Sequence, residues 1–152
     1  MRSTGRSALL ALLVAGCWSV RRTITEVPAP APSPGMIEEP VNAVLTAALD
    51  ADARQESADS LWDPEATVIA NGVQRTAPPR FAGVEPGGEV AISSSRLEVR
   101  QSLVWVYLEY RWVSMKDGVA REGKATVLLT PRPDGSGWRI VHAHSSTPGS
   151  SE

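Results

Sequence analysis

The sequence predicts an α+β fold in which N-terminal helices cover one face of an antiparallel sheet. Apolar residues recur at helical spacing just after Pro40, and long strand-like runs follow them towards the C-terminus. The last run, residues 137–146, has bulky side chains on both faces, with Trp138, Ile140 and both histidines of the chain on one of them. Because a strand with two bulky faces is typical of a sheet interior, we expect this run to be a central strand.

The first residues are typical of a targeting segment. Arg2 and Arg6 precede an apolar run that is too short to span a membrane as a helix. The run ends in Leu-Val-Ala-Gly-Cys at residues 13–17, which resembles the bacterial lipobox. That resemblance implies a signal peptide at residues 1–16, a lipid anchor on Cys17 and a place in the bacterial cell envelope, facing the periplasm or the exterior.

The charge of the chain argues against nucleic acid as a partner. Two of the 15 basic residues lie in the predicted signal peptide, so 13 remain against 17 acidic ones, a net charge of −4 without a basic run. Residues 17–35 are rich in proline, which favours an extended tether that holds the domain away from the membrane. The domain itself is predicted over residues 36–146, and residues 147–152 are predicted to be a flexible tail.

The first element of the domain is a predicted amphipathic helix. Pro40 suits its first turn, and apolar residues continue at helical spacing to about Arg54. Asp52 falls one turn after Ala48 on the same face. The side chain of Asp52 is therefore either exposed to solvent at the helix end or directed into the core as an acid.

A second, shorter helix and a hairpin are expected next. Ser57 can cap a helix that runs through Trp62. The Asn-Gly pair at residues 71–72 supplies the positive φ values of a tight turn between strands at residues 66–70 and 73–75.

The remaining sheet follows a loop at residues 76–88, in which Phe81 is the expected anchor into the core. Turn residues separate the long runs of this part of the chain. The predicted strands are residues 90–100, 103–114 and 119–130.

This order of elements resembles the SnoaL-like branch of the nuclear-transport-factor-2-like superfamily. The similarity lies in residues 63–72, in Gly-Lys-Ala-Thr at 123–126 and in Trp-Arg-Ile-Val-His-Ala-His-Ser at 138–145. It implies a cone-shaped roll, formed by a bent antiparallel sheet around a long helix, that usually dimerises through the outer sheet face. The stretch before Val90 lacks the helix that often closes the cone, so we expect a shallow or open pocket.

The resemblance leaves the activity open, because the same cone hosts enzymes and binding domains. We favour a lipoprotein whose dimeric cone binds a small apolar ligand or a partner protein without catalysis. The alternative is an isomerase-like or cyclase-like enzyme that uses a carboxylate in the cone. A third possibility is an assembly module with a filled cone and an extensive interface on the outer face.

Proton-transfer members of the superfamily use a buried carboxylate and a hydroxyl donor, and the candidates here are Asp52, Glu109 and Tyr107. Tyr107, Glu109 and Arg111 share one face of a strand. If that face lines the cone, they form a polar cluster with perturbed pKa values; if it faces outwards, they belong to a cross-strand ion network. We favour the second arrangement, since charged groups usually stay solvated or paired.

Aromatic and histidine side chains are the candidates for a ligand pocket: Trp62, Trp105, Tyr107, Tyr110, Trp112, His142 and His144. The two histidines could supply two of the three protein ligands of a catalytic metal, but no third ligand is evident. We therefore expect neither metal nor cofactor, and we expect the histidines to form structural hydrogen bonds with neighbouring strands.

Overall fold

A computed structural model of the chain describes residues 34–149. The chain divides into two units, and the second, residues 31–152, contains every described helix and strand together with their hydrophobic core. The predicted signal peptide, Cys17 and nearly all of the predicted tether lie outside the described residues. Among the helices between residues 34 and 149, none is long and apolar enough to span a membrane.

The single long helix, α1, spans Pro34–Arg54 and begins six residues before the predicted start at Pro40. Ile37 is buried and lies one turn before Val41, so the apolar stripe of the helix extends back beyond the proline. The proline removes one intrahelical hydrogen bond, but burial of this extra turn keeps the helix intact. The first two described residues thus belong to the helix and not to the predicted tether.

The predicted second helix is wrong. Only a 3-10 turn forms, at Asp59–Leu61, and Trp62 already begins the first strand. Ala58 precedes the turn with φ 45°, and no side chain caps it. The carbonyl of Ser57, the expected capping residue, instead accepts a hydrogen bond from the guanidinium of Arg80.

Six strands form one curled sheet in the order β2-β1-β6-β5-β4-β3. The prediction that the last strand is central is confirmed. The predicted hairpin is also confirmed, with φ values of 49° at Asn71 and 75° at Gly72 between β1 and β2. One pairing differs from the expected antiparallel sheet, because β1 and β6 run parallel. The strands are β1 Trp62–Ala70, β2 Val73–Gln74, β3 Val90–Arg100, β4 Leu103–Val113, β5 Ala120–Pro131 and β6 Trp138–Ser146.

A β-bulge in β6 changes which side chains face the core. Leu129 pairs with Ile140 and Leu128 pairs with His142, so Val141 is an extra residue in β6. Ile140 is buried before the bulge, and after it the buried residues are Ala143 and Ser145. The prediction that the histidines share a face with Ile140 is therefore wrong, because one inserted residue reverses the alternation of a strand.

The inner face of the sheet packs against α1 and is lined by buried apolar residues of β4, β5 and β6. Aromatic rings fill the space between them, with centroids 6.0 Å apart for Trp62 and Phe81, 5.9 Å for Phe81 and Tyr110, and 5.8 Å for Tyr110 and Trp112. Phe81 is 1% exposed, which confirms its predicted role as the anchor of the loop.

Candidate functional site

Asp52 lies at the C-terminal end of α1 and is only 1% exposed, so of the two predicted alternatives it is the acid aimed at the core. Its Oδ2 accepts hydrogen bonds from the backbone N–H groups of Arg80 and Phe81, both at 2.6 Å. Burial raises the pKa of Asp52 to about 6, and these two hydrogen bonds and the Arg80 charge offset part of the effect. The carboxylate therefore fixes the loop that follows the hairpin.

The side chain of Arg80 holds the same loop from its other side. Its guanidinium donates hydrogen bonds to the carbonyl of Ser57 and, at 2.8 Å, to Oδ1 of Asp59. It also lies 5.0 Å from the ring centroid of Trp62, within the range of a cation–π contact. Sequence reasoning missed Arg80, since its hydrogen-bond partners lie more than twenty residues away in the chain.

Tyr110 completes the attachment of the loop from the inner face of β4. Its hydroxyl donates to the carbonyl of Ala82 at 2.6 Å, and the N–H of Ala82 donates to Oγ of Ser145 at 2.9 Å. Burial raises the pKa of the Tyr110 phenol above its ordinary value, so the hydroxyl stays protonated and acts as a donor.

Three consecutive loop residues therefore occupy the hydrogen-bonding positions of the buried carboxylate and the buried phenol. The N–H groups of residues 80 and 81 bind Asp52, and the carbonyl of residue 82 binds Tyr110. A general base and an oxyanion donor must both reach a substrate that sits between them. In this structure protein backbone takes those contacts, and the ring of Phe81 fills the adjoining space.

The other two catalytic candidates lie on the outer face of the sheet. Glu109 contacts Nζ of Lys124 at 3.0 Å and accepts a hydrogen bond from Ser94 at 3.0 Å. The hydrogen bond with Lys124 is the main cause of the lowered pKa of Glu109. Tyr107 donates to Glu109 at 3.4 Å. The predicted outer ion network is thus confirmed, and neither residue meets Asp52.

The seven candidates for a ligand pocket divide between the two faces. Trp62, Tyr110 and Trp112 are buried in the interior, whereas Trp105 and Tyr107 are 51% and 40% exposed on the outer face. The histidines are on the outer face as well, because His142 pairs with Leu128, which pairs with Trp105. Alternation along β4 separates Trp105 and Tyr107 from Tyr110 and Trp112, but the outward position of the histidines depends on the bulge in β6, which sequence spacing does not encode.

The histidines do not form the expected hydrogen bonds to neighbouring strands. Within residues 34–149, no hydrogen bond or ion pair involves either imidazole. The same part of the chain contains no group of three or more histidine, cysteine, aspartate or glutamate side chains placed to hold a metal ion. The cross-strand neighbours of the two histidines are Thr67 and Ile69 of β1 and Thr126 and Leu128 of β5.

Among the described residues, open grooves lie outside the filled interior. One, of about 810 Å³, runs along the outer face between β3 and β4 and is lined by Arg96, Glu98, Arg100, Leu103, Trp105 and Tyr107. The other, of about 670 Å³, lies where Trp112, Arg121 and Thr147 meet. The indole N–H of Trp112 is buried and has no hydrogen-bond partner among the described residues.

No family model matches the sequence, and no curated protein matches it. Solved structures nevertheless share the fold. A nuclear-transport-factor-2-like superfamily protein from Salmonella enterica serovar Typhimurium is 14% identical over 79% of this chain and 96% of that one, with a TM-score of 0.61. A candidate ketosteroid isomerase from Parabacteroides distasonis is 13% identical over 74% and 88%, with a TM-score of 0.54.

A third similar structure is a candidate association domain of calcium/calmodulin-dependent protein kinase II from Xanthomonas campestris. It is 15% identical over 80% of this chain and 92% of that one, with a TM-score of 0.56. At these identities the comparisons show the fold alone. They confirm the predicted nuclear-transport-factor-2-like α+β fold, in which a helix packs on a six-stranded curled sheet.

Proposed function

We propose that this protein is a cell-envelope lipoprotein whose domain acts by binding and not by catalysis, and that its first partner is a second copy of the same chain. One observation carries the proposal: the interior is filled while the outer face is exposed. Aromatic rings and loop backbone occupy the cone, and Trp105 and Tyr107 stand half exposed on the opposite side of the sheet.

The size of the outer face suits a dimer. Apart from the two-residue β2, the strands have 9 to 12 residues. At a spacing of about 4.8 Å and a rise of about 3.3 Å per residue, these five strands give a face of at least roughly 24 by 30 Å, or about 700 Å². Stable interfaces bury about 800 Å² on each partner, so two copies packed face to face would reach that range.

The charges of the outer face also suit a second copy. Basic and acidic side chains alternate across β3, β4 and β5, and several of them already pair, such as Arg111 with Glu122 at 3.7 Å and Lys124 with Glu109 at 3.0 Å. A surface on which positive and negative charges lie side by side can be complementary to a second copy of itself after a two-fold rotation. The association domain among the similar structures is in keeping with an assembly role.

The proposed location rests on the sequence before residue 36. An apolar segment ending at Cys17, followed by a proline-rich stretch, is what a lipid-anchored domain on a spacer requires.

The test is the oligomeric state of residues 31–152, measured by light scattering after size exclusion and by native mass spectrometry. We expect a dimer that Trp105→Lys converts to a monomer without loss of circular-dichroism signal. The matched control is Met115→Lys, because Met115 is 70% exposed but lies in the turn after β4. A monomeric parent protein, or a Trp105→Lys variant that stays dimeric, would contradict the proposal.

An isomerase-like enzyme is the second candidate, favoured by the raised pKa of the buried Asp52 and by the hydroxyl of Tyr110 on the far side of the same loop. The candidate ketosteroid isomerase among the similar structures is consistent with it. It requires the loop to move, since backbone occupies both groups. Native mass spectra could show a co-purified small molecule bound to the domain. If that molecule is absent from the Asp52→Asn variant, the result would favour this candidate over binding through the outer face.

A further inference from the structure

A cleft of about 390 Å³ lies beside the β1–β2 hairpin, apart from the two grooves described above. Its apolar side is formed by Trp62, Ala66 and Val68 of β1, and its polar side includes Arg75 and Arg80. Trp62 and Val68 are almost fully buried, so the apolar side of the cleft is the margin of the hydrophobic core. Ligand pockets usually have about 300–1,000 Å³, so a cleft of this size suits a small molecule.

An irregularity in β1 forms one wall of the cleft. Between its pairings with Ile140 and His142, β1 advances by five positions, from 62 to 67, whereas β6 advances by two. Two of the residues in this wide bulge, Asp63 and Pro64, line the cleft. The N–H of Glu65 donates to Oδ1 of Asp63 at 2.8 Å, which holds the bulge in a compact turn. Bulges are common beside functional sites, because they redirect side chains without breaking the sheet.

The guanidinium of Arg80 is buried and still has unused donors. Arg80 is 8% exposed, and two of its five N–H groups donate to the carbonyl of Ser57 and to Oδ1 of Asp59. Within residues 34–149, its other three N–H groups have no acceptor. A planar guanidinium that is held in place by its neighbours matches the two oxygens of a carboxylate.

The acidic side chains around the cleft are already neutralised or point into solvent. Asp59 pairs with Arg80 at 2.8 Å, and Asp63 pairs with Arg139 at 2.9 Å. Glu65, the other acid of the bulge, is exposed and is not among the described residues that line the cleft.

Arg75 adds a cation that no acid balances. In the part of the chain that the structure describes, its side chain takes part in no ion pair and no hydrogen bond. Its backbone N–H donates to the carbonyl of Val68 at 2.9 Å, which fixes the position of Arg75 beside the apolar side of the cleft. The lining residues and their ion-pair partners therefore carry a surplus of one positive charge.

We propose that this cleft binds a small organic monoanion, a carboxylate whose apolar body lies against Trp62 and Val68. The single surplus charge favours a monoanion, and the two arginines supply donors of the geometry that a carboxylate accepts. The apolar side accounts for the body of the ligand. This site belongs to the hairpin side of the domain and does not rest on the proposed dimer.

The experiment is an NMR titration of ¹⁵N-labelled residues 31–152, the unit that contains every described helix and strand. The probes are benzoate and benzamide, which have the same shape but differ in charge. We expect saturable binding of benzoate with a dissociation constant of about 1 mM or tighter, and at least about tenfold weaker binding of benzamide. The shifted amides should lie in residues 62–68 and 74–80.

Two variants test the site, and a third is the matched control. Arg75→Gln should weaken benzoate binding by about fivefold or more and leave benzamide binding unchanged, because it removes only the surplus charge. Ala66→Leu fills the cleft and should abolish the binding of both probes. Arg96→Gln is the control, because Arg96 is also exposed and without an ion pair among the described residues but lies on the outer face; it should bind both probes as the parent does.

Each contrary result overturns a stated part of the proposal. Benzoate that shows no saturable binding to the parent protein overturns the proposal as a whole, and equal binding of benzoate and benzamide overturns the preference for an anion. Binding that survives both Arg75→Gln and Ala66→Leu, or shifts confined to the outer groove, overturns the assignment to this cleft. None of these results bears on the proposed dimer, which is tested by the oligomeric state.

Discussion

Asp52→Asn tests how the buried carboxylate, which holds the loop at residues 80–81, affects the free energy of unfolding. In the folded domain the pKa of Asp52 is about 6, against an ordinary value of 3.8. Between these two values the folded state binds more protons than the unfolded state, so the free energy of unfolding falls as the pH rises through this window. The buried charge thus costs stability at neutral pH, although the N–H groups of Arg80 and Phe81 offset part of the cost.

The size of the effect follows from the two pKa values. A difference of about two units corresponds to roughly 3 kcal/mol at 1.36 kcal/mol per unit. Asparagine keeps an oxygen that can accept the same two N–H groups, but it carries no charge to desolvate. We therefore expect the unfolding free energy of the parent protein to fall by about 3 kcal/mol from pH 3.5 to pH 7 through this residue, and this dependence should vanish in Asp52→Asn.

Urea denaturation followed by tryptophan fluorescence at several pH values would measure this slope, since Trp62 and Trp112 are buried reporters. Asp50→Asn is the matched control, because Asp50 lies two residues earlier in the same helix and is only partly buried. The control should keep the parent slope. If Asp52→Asn also keeps it, the carboxylate is not the desolvated group that the geometry indicates.

Three further changes test the packing and the anchor. Tyr110→Phe leaves the carbonyl of Ala82 without its 2.6 Å partner and should cost about 1–3 kcal/mol in urea denaturation; an unchanged midpoint would show that the bond contributes nothing. Gly123→Ala places a Cβ 2.3 Å from Cζ of Tyr110 and should cost about 1–3 kcal/mol or more, a penalty that should shrink in a Tyr110→Ala background. Cys17→Ser should abolish palmitate labelling and release the protein from membranes, and labelling that survives the change would refute the lipid anchor.

Local sequence signals were sufficient for much of the sheet. The Asn71–Gly72 turn and the glycine-containing turns after β4 and β5 fix where strands begin and end, and the predicted bounds of β3 agree with the structure. These features depend on residues within a few positions of one another. The same holds for the apolar stripe of α1, although its extra first turn depends on the burial of Ile37 by distant strands.

The remaining features depend on contacts that sequence spacing does not encode. The 3-10 turn replaces the second helix because the distant guanidinium of Arg80 takes the carbonyl of Ser57. The parallel pairing of β1 and β6 follows from the return of the chain after four intervening strands. The partners of Asp52 are backbone groups 28 and 29 residues away, and a backbone N–H leaves no mark in a residue pattern.

The single extra residue at Val141 links the interior of the domain to its outer face. After it, Ser145 points inwards and accepts the N–H of Ala82, while His144 points outwards. Without the bulge these two side chains would exchange faces, so an imidazole would enter the aromatic interior and the loop would lose its serine. The register of β6 therefore fixes both the filled cone and the chemistry of the exposed face. A change confined to an outer side chain, such as Trp105→Lys, should therefore leave this register and the fold intact.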